Sequence, residues 1–175
     1  MDQRQFKTEG IVLKKRQLLN KDYLITFFTE ELGKIVVSAK GVRDIKSRRI
    51  SSIMTGNLIN ILLYVRRDHY YLQGAQVISL FSNIKKHENR QKTLYFFLYI
   101  LDKILPEGQK EIRAYTLQKR LLIELSKAEM NKTKRLTYGN NLLKLLGYQS
   151  KADTLEQMID NIEEVMGKKI PPFII

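Results

Sequence analysis

A chain of 175 residues, 43% of them hydrophobic, holds enough apolar material for a real core and has room for one or two small domains. It contains no cysteine, which excludes disulfides and thiolate zinc sites and fits a reducing compartment, and no apolar run approaches the roughly 18–20 residues of a membrane span. Thirty-one Lys and Arg against 18 Asp and Glu leave a formal charge of +13, an excess that attracts polyanions, nucleic acid ahead of an anionic membrane surface.

Residues 1 to about 80 read as β. No signal-peptide segment follows Met1-Asp2-Gln3-Arg4-Gln5, so the expected location is the cytoplasm. Residues 10–16 form a first strand that ends in Lys14, Lys15 and Arg16. Residues 23–29 are aromatic and β-branched and predict a second. A short hairpin through Glu30, Glu31, Leu32 and Gly33 leads to a third, in which Ile35, Val37 and Ala39 alternate with Lys34, Val36, Ser38 and Lys40. A long basic link follows, then a fourth strand over residues 57–65, a turn at Arg66-Arg67-Asp68-His69, and a fifth strand over residues 70–78.

Five short strands in about 80 residues predict a small closed sheet, since closure removes the exposed edges. The long third link fits the five-stranded Greek-key barrel known as the OB-fold, which binds oligonucleotides on one strand face and its flanking loops. An SH3-like barrel is the competing architecture.

From about residue 83 the apolar period becomes helical. Leu94, Phe97, Leu98, Leu101, Ile104 and Leu105 recur at three- and four-residue spacing, and Pro106 and Gly108 stop the run. Further helices are predicted over residues 112–130, 133–146 and 154–166, with Gly147 and Gly167 as left-handed stops and Asp153 or Thr154 as an N-cap. The expected fold is α+β: an OB-fold barrel in residues 1–80 that binds nucleic acid, and an α-helical domain in residues 81–175.

Enzyme chemistry fails on inventory. His69 and His87 are the only histidines, neither in a motif, and no phosphate-cradling Gly-x-x-x-x-Gly-Lys-Ser/Thr sequence exists. Asp153, Glu156, Asp160, Glu163 and Glu164 fall mostly at helical spacing and read as a solvated face, not metal ligands, so no cofactor or metal is expected. The informative charge is positive and concentrated: six cations stand against Asp44 alone between residues 34 and 49. Lys40, Arg43, Lys46, Arg48 and Arg49 can track a phosphate backbone, releasing counterions without reading bases. Lys14, Lys15 and Arg16 at the end of the first strand, and Arg66 and Arg67 at the end of the fourth, can extend that surface. Among the aromatics, Tyr23, Tyr64, Tyr70 and Tyr71 are candidates for base stacking, while Phe27 or Phe28 is expected in the core.

The order of motifs resembles the RecO family of bacterial recombination mediators. The likeness lies in Thr8-Glu9-Gly10-Ile11-Val12-Leu13-Lys14, in Thr29-Glu30-Glu31-Leu32-Gly33-Lys34, in Ala39-Lys40-Gly41-Val42-Arg43 with Lys46-Ser47-Arg48, and in Leu142-Leu143-Lys144-Leu145-Leu146-Gly147-Tyr148. The resemblance implies an OB barrel followed by helices and a non-enzymatic activity. That activity is binding of single- and double-stranded DNA, annealing of complementary strands and, with RecR, loading of RecA onto DNA coated by single-stranded DNA-binding protein.

It implies DNA contacts at Lys40, Arg43, Lys46, Arg48 and Arg49, and a cytoplasmic, nucleoid-associated location. It also implies that the helical domain receives the acidic, apolar-ended tail of single-stranded DNA-binding protein, for which Arg135 and Lys144 are the candidates. Two departures stand out. The four-cysteine zinc site that many members carry after Leu-Gly-Tyr is replaced by Gln149-Ser150-Lys151-Ala152-Asp153, and the chain is shorter than typical members. An RNA-binding OB protein and a non-catalytic interaction scaffold are the alternatives.

Overall fold

The structure, a computed structural model, describes residues 4–19, 22–40, 51–149 and 151–175. It divides into two compact units: Met1–Leu80 with Pro106–Ile112, and Phe81–Leu105 with Arg113–Ile175. Among the described residues no helix is long and apolar enough to cross a membrane.

The first unit is a closed barrel of five strands: β1 (Arg4–Gln17), β2 (Tyr23–Thr29), β3 (Gly33–Ala39), β4 (Leu58–Arg66) and β5 (His69–Ser79). Their order around the ring is β1-β2-β3-β5-β4. All neighbours are antiparallel except β3 and β5, which close the barrel in parallel through Val37 opposite Tyr70 and Ser38 opposite Tyr71. This is the OB-fold arrangement, and it overturns the SH3-like alternative. The two-residue period of β3 places Ile35, Val37 and Ala39 inside, where they meet Val12, Ile25, Phe27, Ile53, Ile59, Ile61 and Leu63. Each of the larger side chains, Ala39 excepted, contributes about 2 kcal/mol by leaving water. Both Phe27 and Phe28 are fully buried.

β1 is longer than its apolar centre suggests, and it changes face midway. Val12 pairs with Phe27 but Lys14 pairs with Thr26, so Leu13 is an extra residue, a β-bulge. Before it, Phe6 and Val12 face the core at even positions. After it, Lys14 and Arg16 stand in the outer rows beside Thr26 and Leu24. A slip of one residue swaps the faces of a strand, and here it turns two cations outward.

The second unit contains α1 (Ser82–Lys85), α2 (Glu88–Ile104), α3 (Ile112–Lys127), whose first residue belongs to the barrel unit, α4 (Lys132–Leu145) and α5 (Leu155–Met166), then a 3₁₀ turn at Pro172–Ile174. Its centre is aromatic. The ring of Phe97 meets Phe96 at 5.1 Å and Tyr138 at 5.4 Å, both edge-on, and the Tyr138 hydroxyl accepts the Leu121 backbone N–H at 2.9 Å. Burial pushes the pKa of that hydroxyl well above the usual tyrosine range, so it stays protonated. Thr154, not Asp153, caps α5, accepting from the N–H of Gln157, and Gly147 and Gly167 take left-handed φ values of 86° and 65°.

One acid departs from the expected solvated face. Glu163 has a side chain only 10% exposed, and its carboxylate accepts from Lys169 Nζ at 2.5 Å and from the Ile170 backbone N–H at 2.8 Å. These bonds clasp the segment after α5, which buries Ile170 and Ile174. The Lys169 ammonium first, then the Ile170 N–H, hold the carboxyl below its ordinary range. A depressed carboxyl stabilises the fold at neutral pH and loses that contribution as pH falls through its folded value. Glu163→Gln is therefore expected to lower Tm at pH 7, with the gap to wild type closing below about pH 4 in thermal melts. A gap that persisted at acid pH would mean that shape, not charge, holds the segment.

Candidate nucleic-acid interface

The register assembles an outer face from residues far apart in sequence. Arg16, Leu24, Ser38 and Tyr71 form one lateral row, because Arg16 pairs with Leu24, Leu24 with Ser38 and Ser38 with Tyr71. Lys14, Thr26 and Val36 form the next. Lys14, Arg16 and Lys40 are exposed, whereas Leu24, Thr26, Val36 and Ser38 between them are half-buried. This is the β2–β3 face, the one on which OB barrels bind oligonucleotides.

A cleft of about 470 Å³ opens on it. Leu24, Val36 and Ser38 line it from the strands, and Asp68, His69, Tyr70 and Tyr71 from the β4–β5 turn and the start of β5. A further wall comes from Glu107 and Gly108, in the stretch of chain that interrupts the helical unit. That stretch lies against β3: the Gly108 N–H donates to the Lys34 carbonyl at 2.8 Å, and Lys110 pairs with Glu31 at 2.6 Å. No local period marks residues 106–112 as part of the barrel; the sequence pattern ends one helix at Pro106 and Gly108 and begins the next at Ile112.

The tyrosines and cations of this unit are already engaged with one another. Tyr64 and Tyr71 stack at 4.9 Å with 13° between their planes, and the Lys40 ammonium sits 5.3 Å from the Tyr71 ring. Lys15 differs from its neighbours. It is half-buried, its ammonium is 5.2 Å from the Tyr23 ring and 3.2 Å from Met54 Sδ, and burial lowers its pKa. It aligns with core-facing Ile25 and Val37 and packs beside Tyr23, a ring at the edge of the barrel core. Tyr70 likewise packs on the core, edge-on to Phe6 at 6.4 Å.

Arg66 and Arg67 are exposed on the tight turn into β5, where Arg67 and Asp68 both take positive φ. That turn precedes Tyr71, while Lys40 follows Ser38, the parallel partner of Tyr71. The two basic groups therefore lie toward opposite ends of the face, about 15 Å apart along the strand direction. Arg43, Lys46, Arg48 and Arg49 lie outside the described residues. The described end of their link is pinned, since the Asn57 side-chain amide donates to the carbonyls of Ser51 and Ser52.

In the helical unit, Arg135 is half-buried with its guanidinium 5.2 Å from the Phe96 ring. Its Nε and Nη2 are buried with no hydrogen-bond partner among the described residues, and burial lowers its pKa. Lys144 is exposed nine residues later on the same helix. At 100° per residue the two project from opposite faces of α4, so they do not form one site.

These features meet a consistent set of relatives. The family described as Recombination protein O N terminal matches residues 1–81. A protein of Thermoanaerobacter sp. (strain X514) named DNA repair protein RecO is 30% identical over 151 residues, 86% of this chain and 61% of that protein. Proteins of the same name from Caldanaerobacter subterraneus and Alkaliphilus metalliredigens are 29% and 28% identical, across 85% and 71% of this chain and 60% and 50% of their own lengths. The chain thus spans about half to three fifths of the length of these relatives. The first 81 residues thus match the N-terminal family of Recombination protein O, and most of the chain is similar to proteins named DNA repair protein RecO.

Proposed function

We propose that this chain is a DNA-binding mediator of recombinational repair that binds single- and double-stranded DNA and anneals complementary strands. One observation carries the reading: Lys14, Arg16 and Lys40, distant in sequence, flank one half-buried strand face with a cleft and stacked tyrosines. Phosphates neutralised by these cations repel each other less, so two strands can approach and pair. Arg43, Lys46, Arg48 and Arg49 are tethered between Lys40 and Ser51 and would extend the phosphate track, with Arg66 and Arg67 at its far end. Lys15 would act indirectly, by holding Tyr23.

The name DNA repair protein RecO borne by the relatives supports a role in repair, and the resemblance of motifs extends the proposal to cooperation with RecR, help in loading RecA, action at the nucleoid, and no covalent chemistry. In the helical unit, Arg135 would take the acidic tail of single-stranded DNA-binding protein. Two buried N–H groups lacking acceptors, beside an aromatic ring, suit a carboxylate next to an apolar residue. Lys144 would reach only a more distant part of such a tail.

The test is fluorescence anisotropy with a labelled single strand across a salt series, paired with an annealing assay and competition by RNA of equal length. A steep loss of affinity with salt and salt-sensitive annealing are expected. A strong preference for RNA would favour an RNA-binding OB protein, and no binding at low salt would favour a scaffold.

A further inference from the structure

The cleft on the β2–β3 face joins two chemistries. Its strand side exposes Leu24, Val36 and Ser38, none of them charged. Its opposite walls carry carboxylates, Asp68 from the β4–β5 turn and Glu107 from the stretch against β3. Both residues are exposed, and among the described residues neither has an ion-pair partner. Lys34 also lines the cleft, but it is 8% exposed and engaged within the protein.

The exposed cations stand outside this space. Lys14 and Arg16 are on β1, and Lys40 lies past the end of β3. A phosphodiester is thus drawn to the flanks and repelled from the cleft. A nucleobase is neutral, has flat apolar faces, and carries hydrogen-bond donors on its edge. The exposed ring of His69 at the cleft wall, beside the Tyr64–Tyr71 stack, offers a surface on which a base can lie. A carboxylate only accepts hydrogen bonds, so it suits an exocyclic amine such as the N4 of cytosine or the N6 of adenine. Thymine presents the acceptor O4 at the corresponding position.

Resting on the reading of the barrel as a single-strand binder, we infer that this cleft admits bases and excludes phosphates, and that Asp68 and Glu107 favour bases with an exocyclic amine over thymine. This assigns a base preference to a protein whose other contacts are blind to sequence.

The experiment compares oligo(dC) and oligo(dT) of equal length, at one salt concentration and pH 7.5, on wild type and on the double variant Asp68→Asn, Glu107→Gln. Asparagine tolerates the φ of 59° at position 68, and both positions are exposed, so the fold is kept. Each change replaces one acceptor oxygen with a donor amide. Comparing the ratio of dC to dT affinity between wild type and variant cancels the different stiffness of the two strands. The ratio is expected to fall about fivefold or more in the double variant, the scale of one good base contact. An unchanged ratio, with both oligonucleotides bound and salt-sensitive, overturns this inference and leaves the DNA-binding reading standing. Failure of wild type to bind either strand at low salt overturns both.

Discussion

Replacing Lys14, Arg16 and Lys40 together by glutamine is expected to weaken binding of a single strand of about 30 nucleotides by two to three orders of magnitude at 50 mM salt. Each phosphate contact to a single strand contributes a slope of about −0.7 to log K against log salt, so losing three flattens the slope by about two. At 50 mM that slope corresponds to nearly one decade of affinity per contact. Anisotropy titrations from 50 to 300 mM salt read both quantities. All three side chains are exposed, so the melting temperature should hardly move.

A companion variant, with Arg43, Lys46, Arg48 and Arg49 reversed to glutamate, is expected to abolish annealing without unfolding the protein. The pair separates the strand face from the link. Annealing that survives the second variant but not the first would place the phosphate track on the β-sheet alone. Loss of neither would remove this surface from consideration.

The second large effect is on stability. Gly33→Ala is expected to cost about 3 kcal/mol, near the upper range for single substitutions, and to lower Tm by about 10 °C. Gly33 has a φ of 67°, which costs an alanine about 1–2 kcal/mol. A Cβ there would also fall only 1.8 Å from the Gln109 carbonyl oxygen, a backbone atom of the stretch that walls the cleft. That stretch would have to move. Gly108→Ala is the control: its φ of 72° imposes similar strain, but its Cβ would meet nothing within 4 Å. Equal losses in the two variants would mean that the approach of Gln109 to Gly33 adds nothing.

What was legible in the sequence, and what was not, follows from the range of the interactions. The alternation of Ile35, Val37 and Ala39 is a local signal, and these residues face the core as expected. The tight turn at Arg67 and Asp68 and the stops at Gly147 and Gly167 are local as well. The bulge at Leu13 is not, because it exists only in the pairing with β2, a strand that begins ten residues later. Three consecutive cations looked alike there, yet the register sends Lys14 and Arg16 outward and sets Lys15 beside Tyr23. Glu163 kept helical spacing with its acidic neighbours, but its partners, Lys169 and Ile170, lie past the end of the helix. The opposed faces of Arg135 and Lys144 could have been read from their spacing alone.

Residues 106–112 also bear on how the protein is made. The family match ends at residue 81, but the unit containing the barrel is completed only by a segment that follows the whole of α2. During synthesis the five strands leave the ribosome first, and the cleft lacks the wall made by Glu107 and Gly108 until that stretch has emerged. A nascent chain can thus possess a folded sheet before it possesses a finished groove. A fragment cut at the apparent boundary would stay at that intermediate stage.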